Sequence, residues 1–292
     1  MPELPETETM ARDLDAMLRG RTVRNVLVTR ADVLREANAE VFARTLKGLV
    51  IERAWRRAKM VVLDMADSAA HRKAGVNARG AADLTWHLVV QPRFTGGLLV
   101  DDGSLPASEL KASCLSLTLD DGRKLHYRDV RRLGTVSLMS HARFDEYSAA
   151  LGPEPLDPGF TAKDLAERFG SSRQFVKAAL MDQRKLAGVG NIYAAEALWR
   201  SGIDPSRVAG SLSQNELEQL LEVLREVLLE SIEARGTSFR DYRDAHGERG
   251  GFVSRLAVYG RGGEACLRCG RRLVFTHAID GRGTVFCAWC QH

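Results

Sequence analysis

The sequence has no long apolar run, and no stretch of its 292 residues approaches the roughly 20 consecutive apolar residues that span a bilayer. Its acidic start lacks the basic and apolar regions of a secretory signal peptide. It contains neither an internal repeat nor a low-complexity tract, which excludes solenoid and fibrous architectures. With 45% hydrophobic and 27% charged residues, the chain is predicted to be a globular cytoplasmic protein, long enough for two domains with real cores.

Cysteine is scarce, but four of the five cysteines form two pairs. Two residues separate Cys266 from Cys269 and Cys287 from Cys290, and 17 residues lie between the pairs. Four thiolates at this spacing are typical of tetrahedral zinc in a closed, structural site. Two disulfides are the alternative, which a cytoplasmic chain disfavours. The remaining Cys114 lies in an alternating stretch and is predicted to be a buried thiol.

The net charge is only +4, but it is unevenly distributed. From residue 249 to residue 292, seven arginines stand against two acidic residues. Such a surplus fits a polyanionic partner such as nucleic acid, because basic side chains that neutralise phosphates release condensed counterions. On charge alone, a merely solvated basic surface explains it equally well.

The pattern of secondary structure changes near residue 150. After a helix at 7–18, eight alternating or β-branched stretches predict strands. They cover 22–29, 49–55, 60–65, 84–90, 98–100, 115–119, 124–127 and 135–139. A β-sandwich with an N-terminal helix follows, interrupted at 67–83 by a polar segment that we interpret as an exposed insertion.

Beyond a proline-rich stretch at 151–156 the pattern is helical. Helices are predicted at 162–169, 173–181, 191–200 and 214–235, the last with a leucine stripe suited to core packing. Residues 186–191 form a turn with two glycines that opens a helix. Backbone N–H groups of such a turn can hold a phosphate, although an isolated Gly-x-Gly is more often just a turn.

The chain begins with the letters MPELPE. Removal of Met1 would leave the secondary amine of Pro2, and an α-amino group with a pKa of roughly 8 can attack an electrophilic sugar carbon. Glu3 and Glu6 stand beside this nucleophile. In the alternative interpretation, the two glutamates only favour the positive end of the helix that follows.

This start, the glycine turn and the cysteine pairs occur in an order that resembles the formamidopyrimidine-DNA glycosylase and endonuclease VIII family of base-excision repair enzymes. The resemblance runs from Pro2 to the final cysteine pair and leaves out only the insertion. It implies an α+β fold: an N-terminal β-sandwich with an N-terminal helix, then a helical helix-two-turn-helix domain and a C-terminal zinc-finger hairpin. Four parts follow, which are a catalytic domain at 1–140, a linker at 141–156, a DNA-binding domain with a lesion loop at 157–250 and a zinc finger at 251–292.

The resemblance also implies catalytic roles. Pro2 matches the nucleophile that attacks the anomeric carbon of the damaged nucleotide, and Glu3 matches the general acid that assists sugar opening. Lys59 matches a lysine that contacts the phosphate at the lesion, and Arg282 matches the zinc-finger arginine that holds DNA phosphates. Both count among the catalytic residues of the family, and Glu6 matches a supporting acid.

DNA-binding roles are implied in the same way. Asn191 matches an asparagine that binds the DNA backbone, and Lys177 and Glu196 fall on positions near the lesion. Arg131 is retained to face the base left unpaired by the extruded nucleotide. Phe94 replaces a methionine that fills the vacated space.

Several of these residues have ordinary structural interpretations as well. Lys59 suits a solvated strand edge, Asn191 a helix N-cap and Arg282 a hairpin surface charge. Two loops also depart from the glycosylase pattern, because Phe94 replaces methionine and Leu133 replaces a wedging phenylalanine. An apolar wedge survives in changed form.

The start of the chain and the segments at 236–242 and 258–261 resemble the formamidopyrimidine branch, in which a loop at 240–251 covers the extruded purine. The implied function is a bifunctional DNA glycosylase and abasic-site lyase that excises oxidised purines (formamidopyrimidine and 8-oxoguanine) through a proline Schiff base and β,δ-elimination. Damaged or abasic double-stranded DNA is the implied partner, and one structural zinc ion agrees with the cysteine spacing. We also expect a monomer, because nothing in the sequence requires a partner chain.

Two alternative functions stay open at this point. One is an endonuclease VIII-like specificity for oxidised pyrimidines, and the other is a non-catalytic binder of abasic or distorted DNA. The combination of Pro2, Glu3 and Lys59 argues against the binder, because binding alone requires none of them.

Overall fold

The computed structural model of the protein describes residues 2–67 and 84–292. The predicted insertion lies outside these residues, apart from Asp67 at the end of a strand. The chain forms two compact units, of which one comprises Met1–Ser148 and Arg235–Gly251 and the other Ala149–Ala234 and Phe252–His292. Within the described ranges, no helix is both long and apolar enough to cross a membrane.

The first unit is built on two β-sheets. Its strands are β1 (Val23–Val28), β2 (Leu34–Arg35), β3 (Leu49–Arg57), β4 (Met60–Asp67), β5 (Leu84–Gln91), β6 (Gly96–Asp101), β7 (Ser113–Leu119), β8 (Lys124–Asp129) and β9 (Thr135–Ser140). One sheet has the order β1-β7-β8-β6 and the other β2-β9-β5-β4-β3. Paired strands are antiparallel except β2 and β9. All eight predicted strands are therefore present.

Alternating side chains form the core of this unit. Leu115, Leu117 and Leu119 of β7, spaced two residues apart, point inward and are almost fully buried. Each side chain of this kind contributes roughly 1.5–3 kcal/mol when it is removed from water. Cys114 is also buried, as predicted, and burial raises the pKa of its thiol.

Helix α1 spans Leu4–Leu18 and begins three residues before the predicted helix. The early start follows from Glu3, which takes the N-cap position, and from Glu6, whose side chain accepts the backbone N–H of Glu3. Met10, Leu14 and Leu18 recur every four residues and are fully buried. This stripe fixes the helix, and with it the start of the chain, on the core of the unit.

In the described part of the first unit, three helices are not predicted from the sequence. They are α2 (Ala39–Leu46), α3 (Ala107–Leu110) and α4 (His141–Ala149). Helix α4 occupies residues that the sequence assigns to the linker. It is held by Phe144, which packs on the rings of Trp55 at 5.7 Å and His87 at 4.6 Å. These contacts join distant parts of the sequence, so no local pattern predicts the helix.

The second unit is helical and ends in a hairpin. Its elements are α5 (Ala162–Phe169), α6 (Val176–Met181), α7 (Asn191–Arg200), α8 (Gln214–Glu233), β10 (Val274–Thr276) and β11 (Thr284–Phe286). Helices α5 and α7 have the predicted bounds, whereas α6 begins three residues later and α8 ends two residues earlier than predicted. The leucine stripe of α8 is buried, which confirms its role in the core.

Candidate functional site

The start of the chain is a compact, buried turn. Pro2 is buried, and Glu3 and Glu6 are each only 1% exposed. The backbone N–H of Glu3 donates to Oε2 of Glu6 at 2.8 Å, which joins the N-cap residue Glu3 to the first turn of α1. Negative charge is favoured there by the N–H groups and dipole of the helix. The structure thus places two acids beside the residue predicted to be the nucleophile.

The loop at 235–251 is attached to this turn through Glu6. Oε1 of Glu6 accepts the backbone N–H of Thr237 at 2.8 Å, and the hydroxyl of Tyr242 donates to the carbonyl of Glu6 at 3.3 Å. Gly236 has a φ of +86°, and a Cβ there would lie 3.0 Å from Cγ of Glu6. Only glycine suits so close an approach in that backbone conformation. Glu6 therefore joins the chain start to the base of this loop.

Lys59 lies half-buried in the tight turn between β3 and β4. The turn is secured by Arg56, which donates to the carbonyl of Ala58 at 3.1 Å and to the carboxylate of Glu8 on α1 at 2.8 Å. Ala58 has a φ of +52°, a left-handed conformation that costs a non-glycine residue energy and needs such support. The arginine preceding the turn thus stabilises the segment that carries Lys59.

Two loops of the first unit expose side chains that are usually buried. Phe94 is 47% exposed and Leu133 43% exposed, although both are large and apolar. The guanidinium of Arg131 lies 5.3 Å from the centre of the Phe94 ring, within range of a cation–π contact. The residues predicted to fill the space left by a nucleotide therefore lie on the surface, and two of them are in contact.

In the second unit, Lys177 holds the turn of the hairpin. Its ammonium is fully buried, and it donates to Oδ2 of Asp280 at 3.0 Å and to Oγ1 of Thr284 at 2.7 Å. The other oxygen of Asp280 accepts the backbone N–H of Arg282 at 3.0 Å, and Thr284 donates to the carbonyl of Arg282 at 3.2 Å. Lys177 thereby fixes the backbone on both sides of Arg282.

The side chain of Arg282 is exposed and makes no hydrogen bond or ion pair within residues 2–67 and 84–292. Asn191 is the first residue of α7, after the N-cap Gly190, and its amide donates to the carbonyl of Gly283 at 3.1 Å. Its Oδ1 atom is buried without a hydrogen-bond partner in the described part of the chain. The structure therefore brings Asn191 next to the turn that carries Arg282. Among the described residues, neither the Arg282 guanidinium nor Oδ1 of Asn191 has a hydrogen-bond partner.

Glu196, also on α7, supports a different segment. Its carboxylate is fully buried and accepts three backbone N–H groups, those of Ala257 at 2.8 Å, Val258 at 3.0 Å and Tyr259 at 2.8 Å. Charge-assisted bonds of this kind are about twice as strong as neutral ones. Glu196 therefore anchors the chain that leads into the cysteine hairpin.

The four paired cysteines converge at that hairpin and can bind a metal. Their sulfur atoms all lie within 4.8 Å of one another, and none of them forms a disulfide. The Sγ atoms of Cys269 and Cys287 are 3.6 Å apart, close to the roughly 3.8 Å expected for a tetrahedron with 2.3 Å zinc–sulfur bonds. Burial alone would raise the pKa of Cys266, but hydrogen bonds outweigh it and lower that pKa to about 6, led by those from the N–H groups of Arg268 and Cys269.

Comparison with known proteins shows the same arrangement along the whole chain. Residues 1–136 match the formamidopyrimidine-DNA glycosylase N-terminal domain, and residues 151–243 match the formamidopyrimidine-DNA glycosylase H2TH domain. The formamidopyrimidine-DNA glycosylase of Desulfitobacterium hafniense is 39% identical over 293 residues, which cover 100% of both chains. The chain belongs to the formamidopyrimidine-DNA glycosylase family.

Solved structures agree with this membership in the formamidopyrimidine-DNA glycosylase family. A complex of Lactococcus lactis Fpg with DNA containing an abasic site superposes with a TM-score of 0.85 at 29% identity, covering 99% of both chains. A complex of wild-type Lactococcus lactis Fpg with DNA containing N7-benzyl-Fapy-dG gives the same TM-score and identity, covering 100% of both. The predicted fold class and the predicted formamidopyrimidine branch are confirmed.

Two of the residues predicted to bind DNA are buried in the structure. Lys177 and Glu196 are predicted to bind DNA, but both are fully buried and bonded within the second unit. We interpret them as residues that position the hairpin. Asp280 and Thr284, which act with Lys177, are missed by sequence reasoning, and their only signal is that they flank Arg282 in a short turn.

Replacing Lys177 with methionine tests this interpretation. The variant leaves the buried carboxylate of Asp280 without its cation, and breaking a buried pair typically costs about 3–5 kcal/mol. We expect the free energy of unfolding in urea to fall by at least about 2 kcal/mol, since the methionine stem still packs. Lys163→Met, at an exposed position of α5, should change it by less than about 0.5 kcal/mol. Equal stabilities of the two variants would contradict the positioning role.

Proposed function

We propose that this protein is a bifunctional DNA glycosylase and abasic-site lyase that excises oxidised purines, namely formamidopyrimidine and 8-oxoguanine, from double-stranded DNA. The observation that carries the proposal is the chain start. Pro2 is followed by two buried carboxylates, and one of them holds the loop at 235–251. Relatives that cover the whole chain are formamidopyrimidine-DNA glycosylases, and solved complexes of Lactococcus lactis Fpg contain Fapy-type or abasic DNA.

The proposed chemistry begins when Met1 has been removed and the nitrogen of Pro2 is free. Its lone pair forms a bond to C1′ of the damaged nucleotide, and the bond from C1′ to the base breaks with its electrons leaving on the base. The nitrogen of Pro2 then gives up its proton to solvent, and the departing base takes up a proton from solvent. Glu3 donates a proton to the sugar ring oxygen, and the ring opens to an iminium. Glu3 directly follows Pro2 and takes the N-cap position of α1, so the proposed acid is adjacent in the chain to the proposed nucleophile.

Strand cleavage follows from the same iminium. The positive nitrogen acidifies the hydrogens at C2′, so loss of one of them expels the 3′ phosphate by β-elimination. A second elimination, of the δ type, expels the 5′ phosphate, and water then releases Pro2 from the sugar fragment. Carboxylates and solvent accept and return the protons in these steps, with Glu6 as the supporting acid. One nitrogen thus catalyses both base removal and strand scission.

DNA is bound mainly through its phosphates in this proposal. Lys59 in the first unit, and Asn191 and Arg282 in the second, supply a cation or a polar group for the phosphates around the lesion. Extruding a nucleotide costs a few kcal/mol, which is offset when Phe94 and Arg131 fill the vacated space. Support comes from the exposure of Arg282, Phe94 and Arg131. It also comes from the hydrogen bond that places the side-chain amide of Asn191, a donor group, beside the turn that carries Arg282.

We assign one structural zinc ion to Cys266, Cys269, Cys287 and Cys290. Four sulfurs this close together cannot all be thiolates unless a cation lies among them, and zinc prefers such a set. The ion would contribute folding free energy but would not take part in catalysis, because four protein ligands leave no coordination position open for water or substrate. The cytoplasmic location, the monomeric state and the four domain boundaries remain predictions.

A panel of single-lesion duplexes tests the function. Protein processed to Pro2 is incubated with formamidopyrimidine, 8-oxoguanine and thymine-glycol duplexes, with and without borohydride. We expect covalent adducts and strand cleavage, with kcat/KM for the two purine lesions at least about tenfold above thymine glycol, a difference of about 1.4 kcal/mol in transition-state stabilisation. Preference for thymine glycol would indicate pyrimidine specificity, and tight binding without any adduct would leave only a DNA-binding protein.

A further inference from the structure

A single buried carboxylate lies at the base of both exposed loops of the first unit. Asp129 is the last residue of β8 and is 1% exposed. Its Oδ2 atom accepts the hydroxyl of Tyr127 at 3.1 Å and the backbone N–H of Gly134 at 2.8 Å. Its Oδ1 atom accepts the hydroxyl of Thr95 and, at 3.2 Å, the backbone N–H of Arg131. Four donors thus satisfy one side chain.

Three of these four donors come from two separate loops, and the fourth, Tyr127, lies on β8. The Phe94 loop, residues 92–95, connects β5 to β6, and the Arg131 loop, residues 130–134, connects β8 to β9. Besides donating to Asp129, the hydroxyl of Thr95 accepts the backbone N–H of Arg131 at 3.0 Å. Neither loop is therefore anchored alone, because each supplies a group that completes the hydrogen bonds of the other.

The backbone of both loops needs such an anchor. Arg93 has a φ of +53° and Arg132 a φ of +51°, which is the left-handed region that side chains other than glycine rarely adopt. Each of these residues directly precedes an exposed apolar residue, Phe94 in one loop and Leu133 in the other. A backbone in this conformation persists only where surrounding bonds determine it.

The Arg131 loop ends in close contact with Tyr127 of β8. A Cβ on Gly134 would collide with the Tyr127 hydroxyl, so the chain passes directly above that group, which in turn donates to Asp129. The two loops therefore share one buried base, while Phe94, Arg131 and Leu133 extend from it to the surface.

We propose that Asp129 is a positioning residue that makes the two loops one element, so that discrimination of the base opposite the lesion depends on it. The proposal rests on the proposed function, in which Arg131 faces that base. An aspartate that only closed the turn of its own loop would need the N–H groups of Arg131 and Gly134, but not the hydroxyl of Thr95. The bond between the loops is therefore the feature to test.

Variants of Thr95 remove that bond with little change of shape. Thr95→Val lacks the hydroxyl, and Thr95→Ser keeps it. Excision of 8-oxoguanine is measured in single turnovers opposite each of the four bases, and the ratio of the fastest to the slowest rate is recorded. We expect a ratio of about tenfold or more in the native protein, since one contact to a base edge discriminates to that extent. The ratio should fall at least threefold in Thr95→Val and recover in Thr95→Ser.

Asp129→Asn provides a second variant, because one of its atoms becomes a donor facing donors, and we expect the same or a larger loss of discrimination. Asp121→Asn is the matched control. Its carboxylate also accepts a backbone N–H, that of Arg123 at 3.1 Å, but it lies in the turn before β8, at the other end of that strand. It should keep the native ratio.

The outcomes separate this proposal from the proposed function. Native ratios in both Thr95→Val and Asp129→Asn would overturn the positioning role, as would a native protein that treats the four bases alike. A native protein that forms no borohydride adduct with abasic DNA would instead overturn the proposed function itself.

Discussion

A protein whose Pro2 nitrogen is blocked by a preceding residue will form no borohydride-stable adduct with abasic DNA. In a peptide bond the nitrogen lone pair is delocalised and cannot attack C1′, whereas a free α-amino group with a pKa near 8 is neutral in about one molecule in five at physiological pH. We expect the rate of adduct formation to fall at least about 10³-fold, which corresponds to about 4 kcal/mol of activation free energy.

The cleanest comparison uses one chain in two states. The protein is produced with a removable N-terminal extension that ends immediately before Pro2, and adduct formation is measured before and after the extension is cut off. Every side chain is then identical, so a gain of activity on cutting reports only the freed nitrogen. Binding of an uncleavable abasic analogue serves as the control for access to the site. A strong adduct from the extended protein would contradict the proposal and would point to a lysine as nucleophile.

A proline at this position has a further consequence that a primary amine would lack. The adduct of a secondary amine with an opened sugar is an iminium that keeps its positive charge without a proton, so it withdraws electrons at any pH. A processed Pro2→Gly variant should still attack, but its imine must be protonated before elimination proceeds. Its cleavage rate should therefore fall more steeply with rising pH than that of the native protein.

Much of the fold could be predicted because local sequence patterns indicate its strands and helices. Alternating residues indicated all eight long strands of the sandwich, and the leucine spacing of α8 indicated its buried face. Helix α4 escaped prediction because only Phe144 of its nine residues is buried, too little for an amphipathic pattern. Its stability comes from rings on β3 and β5, far away in the sequence.

In the candidate site, too, residues in short motifs could be predicted, whereas their partners from distant parts of the sequence could not. Pro2, Glu3, Glu6 and the four cysteines could be singled out because they lie in short motifs. The partners that hold them could not, since Thr237 meets Glu6 across 231 residues and Asp280 meets Lys177 across 103. The burial of individual side chains could not be predicted either. A sequence does not distinguish an exposed lysine that binds phosphate from a buried lysine that holds a turn.

The cysteine cluster is the feature whose loss should affect DNA binding most. Cys287 directly follows β11, the strand that begins with Thr284, and it packs in a small core with Val258, Leu273 and Val285. In Cys287→Ser the fourth thiolate is missing, so we expect the protein to lose its zinc. Without the ion the hairpin would lose its order, because metal binding at such sites supplies the folding free energy of the small domain around them.

Arg282 would then no longer be presented by a fixed turn. We expect the Kd for abasic duplex to rise at least about 100-fold, about 2.7 kcal/mol, with zinc content below about 0.1 per chain. Cys114→Ser is the matched control, because its thiol is buried in the first unit and lies outside the cluster. It should keep one zinc and native affinity. A Cys287→Ser protein that binds DNA normally would show that Arg282 is positioned by Lys177 and Asp280 alone, without the metal.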